Sequence, residues 1–221
     1  AFVLSLLLSA TVLALRGTPP LLGIFVLFKG AFGSLWAIQD SLIKAIPIFL
    51  CSLGVATAFR LQVWNIGAEG QFAFGAMGAT WVTISFPELP GLLMMAAMIF
   101  MAAVAGGLWG AIPAILRQRL KTNEIIVTLM LNYIAILFLD YLVYGSWKDP
   151  ASFGFPMTKP FPPQAILGKI GNSSLNWGLA HCFILGLIMW ILFRFTRLGF
   201  ELKASGDSVR AARYAGLPYD R

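Results

Sequence analysis

Charge is scarce in this chain. Only 11% of its 221 residues are Asp, Glu, Lys or Arg, and it holds one histidine and two cysteines. A lone His181 excludes the paired histidines of an H-E-x-x-H metal site, and no G-x-S-x-G places a serine nucleophile on a strand-to-helix elbow. No second basic group is spaced to activate a nucleophile, so an intramembrane enzyme is the weaker reading and His181 is expected to be a hydrogen-bonded bundle residue. No G-x-x-x-x-G-K-[ST] loop is present to cradle nucleotide phosphates, which excludes ATP hydrolysis by that route. Cys51 and Cys182 belong to no C-x-x-C or His-rich spacing. Both lie in apolar runs, where a thiol acts as a small buried hydrophobe, so no metal or other cofactor is implied.

What the chain has instead is hydrocarbon. It is 59% hydrophobic, with a mean hydropathy of +0.82, against an apolar share of about half in soluble domains. Positions 70–87, 89–116, 125–139 and 170–193 contain no charged side chain, and roughly 20 apolar residues cross a bilayer as a helix. With shorter runs at both 1–15 and 45–59, the expected fold is all-α: a multi-spanning membrane helix bundle of about six spans, near 1–15, 42–60, 68–86, 91–116, 124–144 and 177–195. The opening AFVLSLLLSATVLALRG has no initiating Met and no basic n-region, so it reads as a span under way rather than a secretory signal.

The net charge of +7 does not point to nucleic acid, because the basic residues sit between apolar runs and form no dense stripe. They orient the chain instead. One set of alternate loops carries Arg60, Arg117, Arg119, Lys121, Arg194, Arg197, Lys203, Arg210, Arg213 and Arg221, and the other carries Arg16, Lys29, Lys44, Lys148, Lys159 and Lys169. The richer side is expected to be cytoplasmic. Residues 145–176, with five of the twelve prolines, then form an irregular external loop.

Against this apolar background, two stretches hold polar side chains that lipid would penalise. In NIGAEGQFAFGAMGA, residues 65–79, the glycines Gly67, Gly70, Gly75 and Gly78 offer a flat face for close helix approach. A chain break at NIGAEG would expose amide groups at a new helix N-terminus, and Asn65, Glu69 and Gln71 would satisfy that broken backbone or line a cavity. In KTNEIIVTLMLNYIA, residues 121–135, Asn123 or Thr122 is expected to cap a helix whose Glu124, Thr128 and Asn132 form one stripe at i, i+4 and i+8. For Thr128 and Asn132, helix-to-helix hydrogen bonding and the wall of a translocation path are both open. For Glu124, capping and an ion pair to the Arg117–Lys121 cluster are expected.

From Thr196 onward the composition turns polar and basic. Asp207 is a candidate N-cap, Ser208 to Ala215 favour or tolerate helix, Gly216 suits a left-handed C′ position and Pro218 ends the run. Two turns are not stable alone in water, so this helix needs a partner surface.

Three stretches, NIGAEGQ at 65–71, NEIIVTLMLNYIA at 123–135 and LGFELKASGDSVRAARYAGL at 198–217, together resemble the permease subunits of bacterial ABC importers of the branched-chain amino acid and ribose type, most closely the nucleoside and simple-sugar branch. The resemblance implies a multi-pass subunit of the bacterial plasma membrane that pairs with a second, related permease, binds a cytoplasmic ATPase and receives solute from an extracytoplasmic binding protein. From their polarity inside apolar spans, Asn65, Glu69, Gln71, Thr128 and Asn132 are expected to converge near a central substrate path formed with partner helices. The resemblance also implies an ATPase-coupling helix carrying Gly206, Asp207, Arg210, Ala211, Ala212, Arg213 and Gly216, and further spans beyond Arg221. The solute is expected to be a nucleoside, with simple sugars or branched-chain amino acids as alternatives and a passive channel as a weaker one.

Overall fold

The computed structural model describes residues 2–208 together with Tyr214 and Gly216. Among these residues the regular structure is helical: α1 (Phe2–Leu15), α2 (Pro20–Phe32), α3 (Leu35–Arg60), α4 (Ala68–Ser85), α5 (Gly91–Leu120), α6 (Glu124–Tyr144), α7 (Gly178–Phe195) and α8 (Arg197–Asp207), with one 3₁₀ turn at Pro163–Ala165. Four of them, α3, α5, α6 and α7, are long and apolar enough to cross a bilayer. The chain is a multi-span membrane helix bundle, and it exposes many Leu, Ile, Val and Phe side chains, as lipid contact requires.

Two compact units divide the chain. The first comprises Ala1–Ile48 with Gly168–Cys182. Its α1 and α2 form a hairpin that the sequence reading missed, having placed 16–41 between two spans. The turn is a helix-ending motif with Gly17 at φ +73°, where Gly17 N donates to Ala14 O and Thr18 N to Leu13 O, each at 3.0 Å. Glycine suits that left-handed position because no Cβ meets the carbonyl. Pro20 then opens α2 at a position where its missing amide costs nothing. Both α1 and α2 are apolar helices shorter than the four long ones, at 14 and 13 residues. α3 begins at Leu35 rather than near 42. Ser34 Oγ accepts from Ala37 N at 3.1 Å, and Lys44 neutralises Asp40 at 2.8 Å one turn away, so the polar stretch that suggested a loop is helical.

The second unit comprises Phe49–Leu167 with Phe183–Arg221. Its centre is the antiparallel pair α4 and α5, with α6 against α4. Glycines make the approach possible: a Cβ on Gly78 would lie 2.6 Å from Met101 O and 2.8 Å from Ala105 Cβ, and one on Gly75 would lie 3.3 Å from Ala102 O. All three α5 atoms at those contacts belong to backbone or a small side chain, as membrane helix packing favours. α4 itself is 18 residues and carries Glu69 in its first turn, and it is not among the four long apolar helices. A small apolar cluster of Val82, Met94 and Ala165 closes the far end, and Gln164 Nε2 donates to Pro87 O at 2.8 Å.

α5 ends at Lys121 with φ 54°, its amide returning to Arg117 O. Asn123 then caps α6 by accepting from Ile125 N at 2.9 Å, as the sequence implied. Glu124 pairs with Arg117 at 3.2 Å, also as expected. One helix, α8, precedes the expected one: Thr196 accepts from Gly199 N at 3.2 Å and Arg197 pairs with Glu201 at 2.7 Å. Asp207 closes α8 instead of serving as the N-cap of the next helix, and Ser208 is extended. Of the expected helix, Tyr214 is helical. Gly216 has the expected left-handed φ of +69°. Arg210, Ala211, Ala212 and Arg213 lie outside the described residues.

Candidate functional site

The polar residues of the apolar core meet where α3 has ended and α4 has not begun. Residues 61–67 are non-helical, so the amides of the first turn of α4 have no partners of their own. Asn132, on α6, supplies one: its Oδ1 accepts from Gly70 N at 2.8 Å, and its Nδ2 donates to Ile66 O at 2.8 Å. One side chain thus closes both sides of the break. Asn65 Oδ1 accepts from Gly67 N at 2.9 Å, turning the chain into the helix as Asx turns do. Gly67 and Gly70 have to be glycine, because a Cβ would lie 3.0 Å from Thr128 Cβ or 2.8 Å from Asn132 Oδ1 respectively.

Thr128 and Asn132 are 2% and 7% exposed, and their contacts favour helix packing over an open wall. Thr128 Oγ1 returns to Glu124 O at 2.7 Å and Ile125 O at 3.2 Å within its own helix. Gln71 does face an open space. Its carboxamide exchanges two bonds with that of Asn65, Nδ2 to Oε1 and Nε2 to Oδ1, both at 3.4 Å. Beside it, α3, α4 and α5 line an open cavity of about 540 Å³ whose walls include Cys51, Gly54, Phe72, Ala76 and Ala102. Glu69 is exposed and is not drawn into this amide cluster. The break therefore gathers Asn65, Gln71, Thr128 and Asn132 and leaves Glu69 outside.

Sequence reasoning missed two contributors. Trp109, on α5, stacks on Phe74 at 3.6 Å between ring centroids, and Phe74 in turn faces Phe138 at 5.7 Å. The indole Nε1 is buried without a hydrogen-bond partner, close behind Gly70 and Asn132. Cys51 was read as structural along with Cys182. Cys182 is buried and its thiol points to Ile46 O at 3.6 Å, but Cys51 lines the cavity. A thiol among leucines carries no periodic signal that would have separated the two.

Residues 37–221 match the family described as branched-chain amino acid transport system, permease component. The chain is 34% identical over its whole length to the nucleoside ABC transporter permease protein NupB of Lactococcus lactis, covering 63% of that protein. It is 33% identical over 98% of its length to the guanosine ABC transporter permease protein NupP of Bacillus subtilis, again covering 63%. The glucose ABC transporter permease protein TsgB13 of Haloferax volcanii is 33% identical over 87% of the chain, which covers 53% of it. The chain thus spans between half and two thirds of the length of these relatives. No solved structure matches.

Proposed function

The chain belongs to the permease-component family of branched-chain amino acid transport systems, and from that premise we propose that it is a membrane subunit of an ATP-driven importer that carries nucleosides across the bacterial plasma membrane. The observation that carries the substrate is the similarity along the whole chain to two permeases named for nucleosides and guanosine. The glucose permease, matched over less of the chain, supports simple sugars as the second reading. In the proposed assembly a second, related permease completes the path, a cytoplasmic ATPase supplies the work, and an extracytoplasmic binding protein delivers solute.

Within this chain the solute passes along the 540 Å³ cavity, with Gln71 on its wall and Asn65 bonded to Gln71 beside it. Thr128 and Asn132 act behind them by holding the turn, and Glu69 stands at the exposed start of α4. The segment from Gly206 to Gly216, with Asp207, Arg210, Ala211, Ala212 and Arg213, docks on the ATPase. The test is reconstitution of the complete importer in vesicles. Labelled guanosine should accumulate only when ATP is supplied, with glucose left behind. Accumulation of glucose instead would replace the nucleoside reading by the sugar one, and guanosine equilibrating without ATP would mean a passive channel.

Orientation follows from charge. From Arg60 onward, ten basic residues fall on one set of loops and only Lys148, Lys159 and Lys169 on the other, so residues 117–122 and 196–221 are inside and 145–176 outside. With Cys51 and Cys182 replaced, Lys159→Cys should react with an impermeant maleimide on intact cells and Lys203→Cys only after permeabilisation. Equal labelling would reverse the assignment.

A further inference from the structure

We propose that Gln71 reads the hydrogen-bonding edge of a nucleobase, with Asn65 occupying that edge when the cavity is empty. The inference rests on the nucleoside reading above and assigns it a recognition element. Three observations lead to it.

First, the cavity is of the size usual for small-molecule sites, about 300–1,000 Å³, and its walls are almost wholly hydrocarbon: Leu50, Cys51, Phe72 and Ala76 are typical, and Gln71 supplies its one carboxamide. A primary amide in such a wall is costly unless both its N–H and its C=O find partners. Second, the partner present is another carboxamide. Asn65 and Gln71 meet through reciprocal bonds, so Gln71 presents a donor and an acceptor side by side to whatever lies opposite. Third, both bonds are 3.4 Å, outside the usual range of roughly 2.7–3.2 Å, and Asn65 Oδ1 is already held more closely by Gly67 N at 2.9 Å. The pairing satisfies Gln71 without committing it, and the partner is easily exchanged.

A nucleobase offers a planar donor next to an acceptor: N–H beside C=O in uracil, hypoxanthine and guanine, amino beside ring nitrogen in adenine and cytosine. A carboxamide pairs with either pattern by turning over, as glutamine and asparagine do with base edges elsewhere. A free sugar has no such planar pair. Gln71 thus separates nucleosides from sugars of similar polarity while accepting several bases. On solute release Asn65 takes the edge back, so the amide is not left unpaired in either state.

The test uses the complete permease assembly with its ATPase and without the binding protein, so that recognition by the membrane subunits alone is read. Cys182→Ser leaves Cys51, on the cavity wall, as the thiol of this chain, and its rate of modification by a small maleimide reports occupancy. Uridine should protect Cys51, and 3-methyluridine, which lacks the N3 hydrogen, should need about tenfold more for half-protection. Gln71→Leu should erase that difference. Leucine keeps most of the bulk of glutamine, so a difference that persists in Gln71→Leu and disappears only in Gln71→Ala would mean crowding of the methyl group and would overturn the base-edge role. Equal protection by uridine and 3-methyluridine in the parent protein would overturn the base-edge role while leaving nucleoside transport intact. Protection by glucose and by no nucleoside would instead remove the nucleoside reading itself. A Cys51 that reacts only after denaturation would mean that another helix fills the cavity, and the proposal would fall.

Discussion

Asn132→Leu is expected to leave little folded protein in the membrane, although the two side chains are close in size and leucine is the better lipid-facing residue. The loss lies in the backbone that Asn132 serves. Without it, Gly70 N–H and Ile66 C=O, each now bonded at 2.8 Å, stay buried with nothing to pair with. Each unsatisfied buried group costs about 1–3 kcal/mol. The pair together weighs about 2–6 kcal/mol, a large part of the 5–15 kcal/mol by which a domain is usually stable. Asn132→Asp retains the acceptor for Gly70 but loses the donor to Ile66, so it should fall between parent and leucine variant. Thr128→Val is the contrasting case, because its hydroxyl bonds only to carbonyls of its own helix, and the change should be close to neutral. Detergent-extracted yield and the thermal midpoint of a fluorescent fusion measure all three. If Asn132→Leu behaves like the parent, the break before α4 is held by packing alone.

The contrast between these neighbours also shows what the sequence makes legible. Polarity on an apolar helix marks Thr128 and Asn132 alike, and the i, i+4, i+8 spacing places them correctly on one face. It does not say that one side chain crosses to another helix while the other folds back on its own, since that depends on which backbone groups lie opposite. The glycines of 65–79 are legible for a similar reason: absent side chains within a span leave few uses besides close approach. The helix boundaries are less so. Asp40 and Lys44 look like loop residues until their pairing within one turn is seen. At the other end, Asp207 suits an N-cap by residue type, yet α8, opened by Thr196, extends through it.

Replacing Gly206 by valine is expected to disconnect the cytoplasmic segment from the spans while leaving the membrane bundle folded. Gly206 sits in the last turn of α8, and a Cβ there would run into the carbonyl oxygen of Arg60, with Arg60 C at 3.0 Å and Leu61 Cα at 3.2 Å. These are backbone atoms at the end of α3 and cannot swing aside as a side chain would. The same end is held by the Arg60 guanidinium over the Phe193 ring, 4.8 Å from its centroid. Valine has a somewhat better intrinsic helix propensity than glycine, so weakening of α8 itself cannot explain a loss. The cost is steric, about 1–3 kcal/mol for an overpacked contact, and displacing α8 is its simplest relief. One helical run leads from Arg60 back to Leu50 and Cys51 on the cavity wall. In the proposed assembly, a shift of α8 on the ATPase would be delivered to the cavity through this helix, provided that Gly206 stays in contact. In the assembled importer Gly206→Val should therefore keep its thermal midpoint within a few degrees of the parent and lose about tenfold or more of ATP-driven uptake, while ATP hydrolysis no longer responds to solute. Gly206→Ala, with a single added carbon, should retain part of the response. Normal uptake by the valine variant would show that force reaches the spans by another route, and a collapsed thermal midpoint would assign Gly206 to stability rather than coupling.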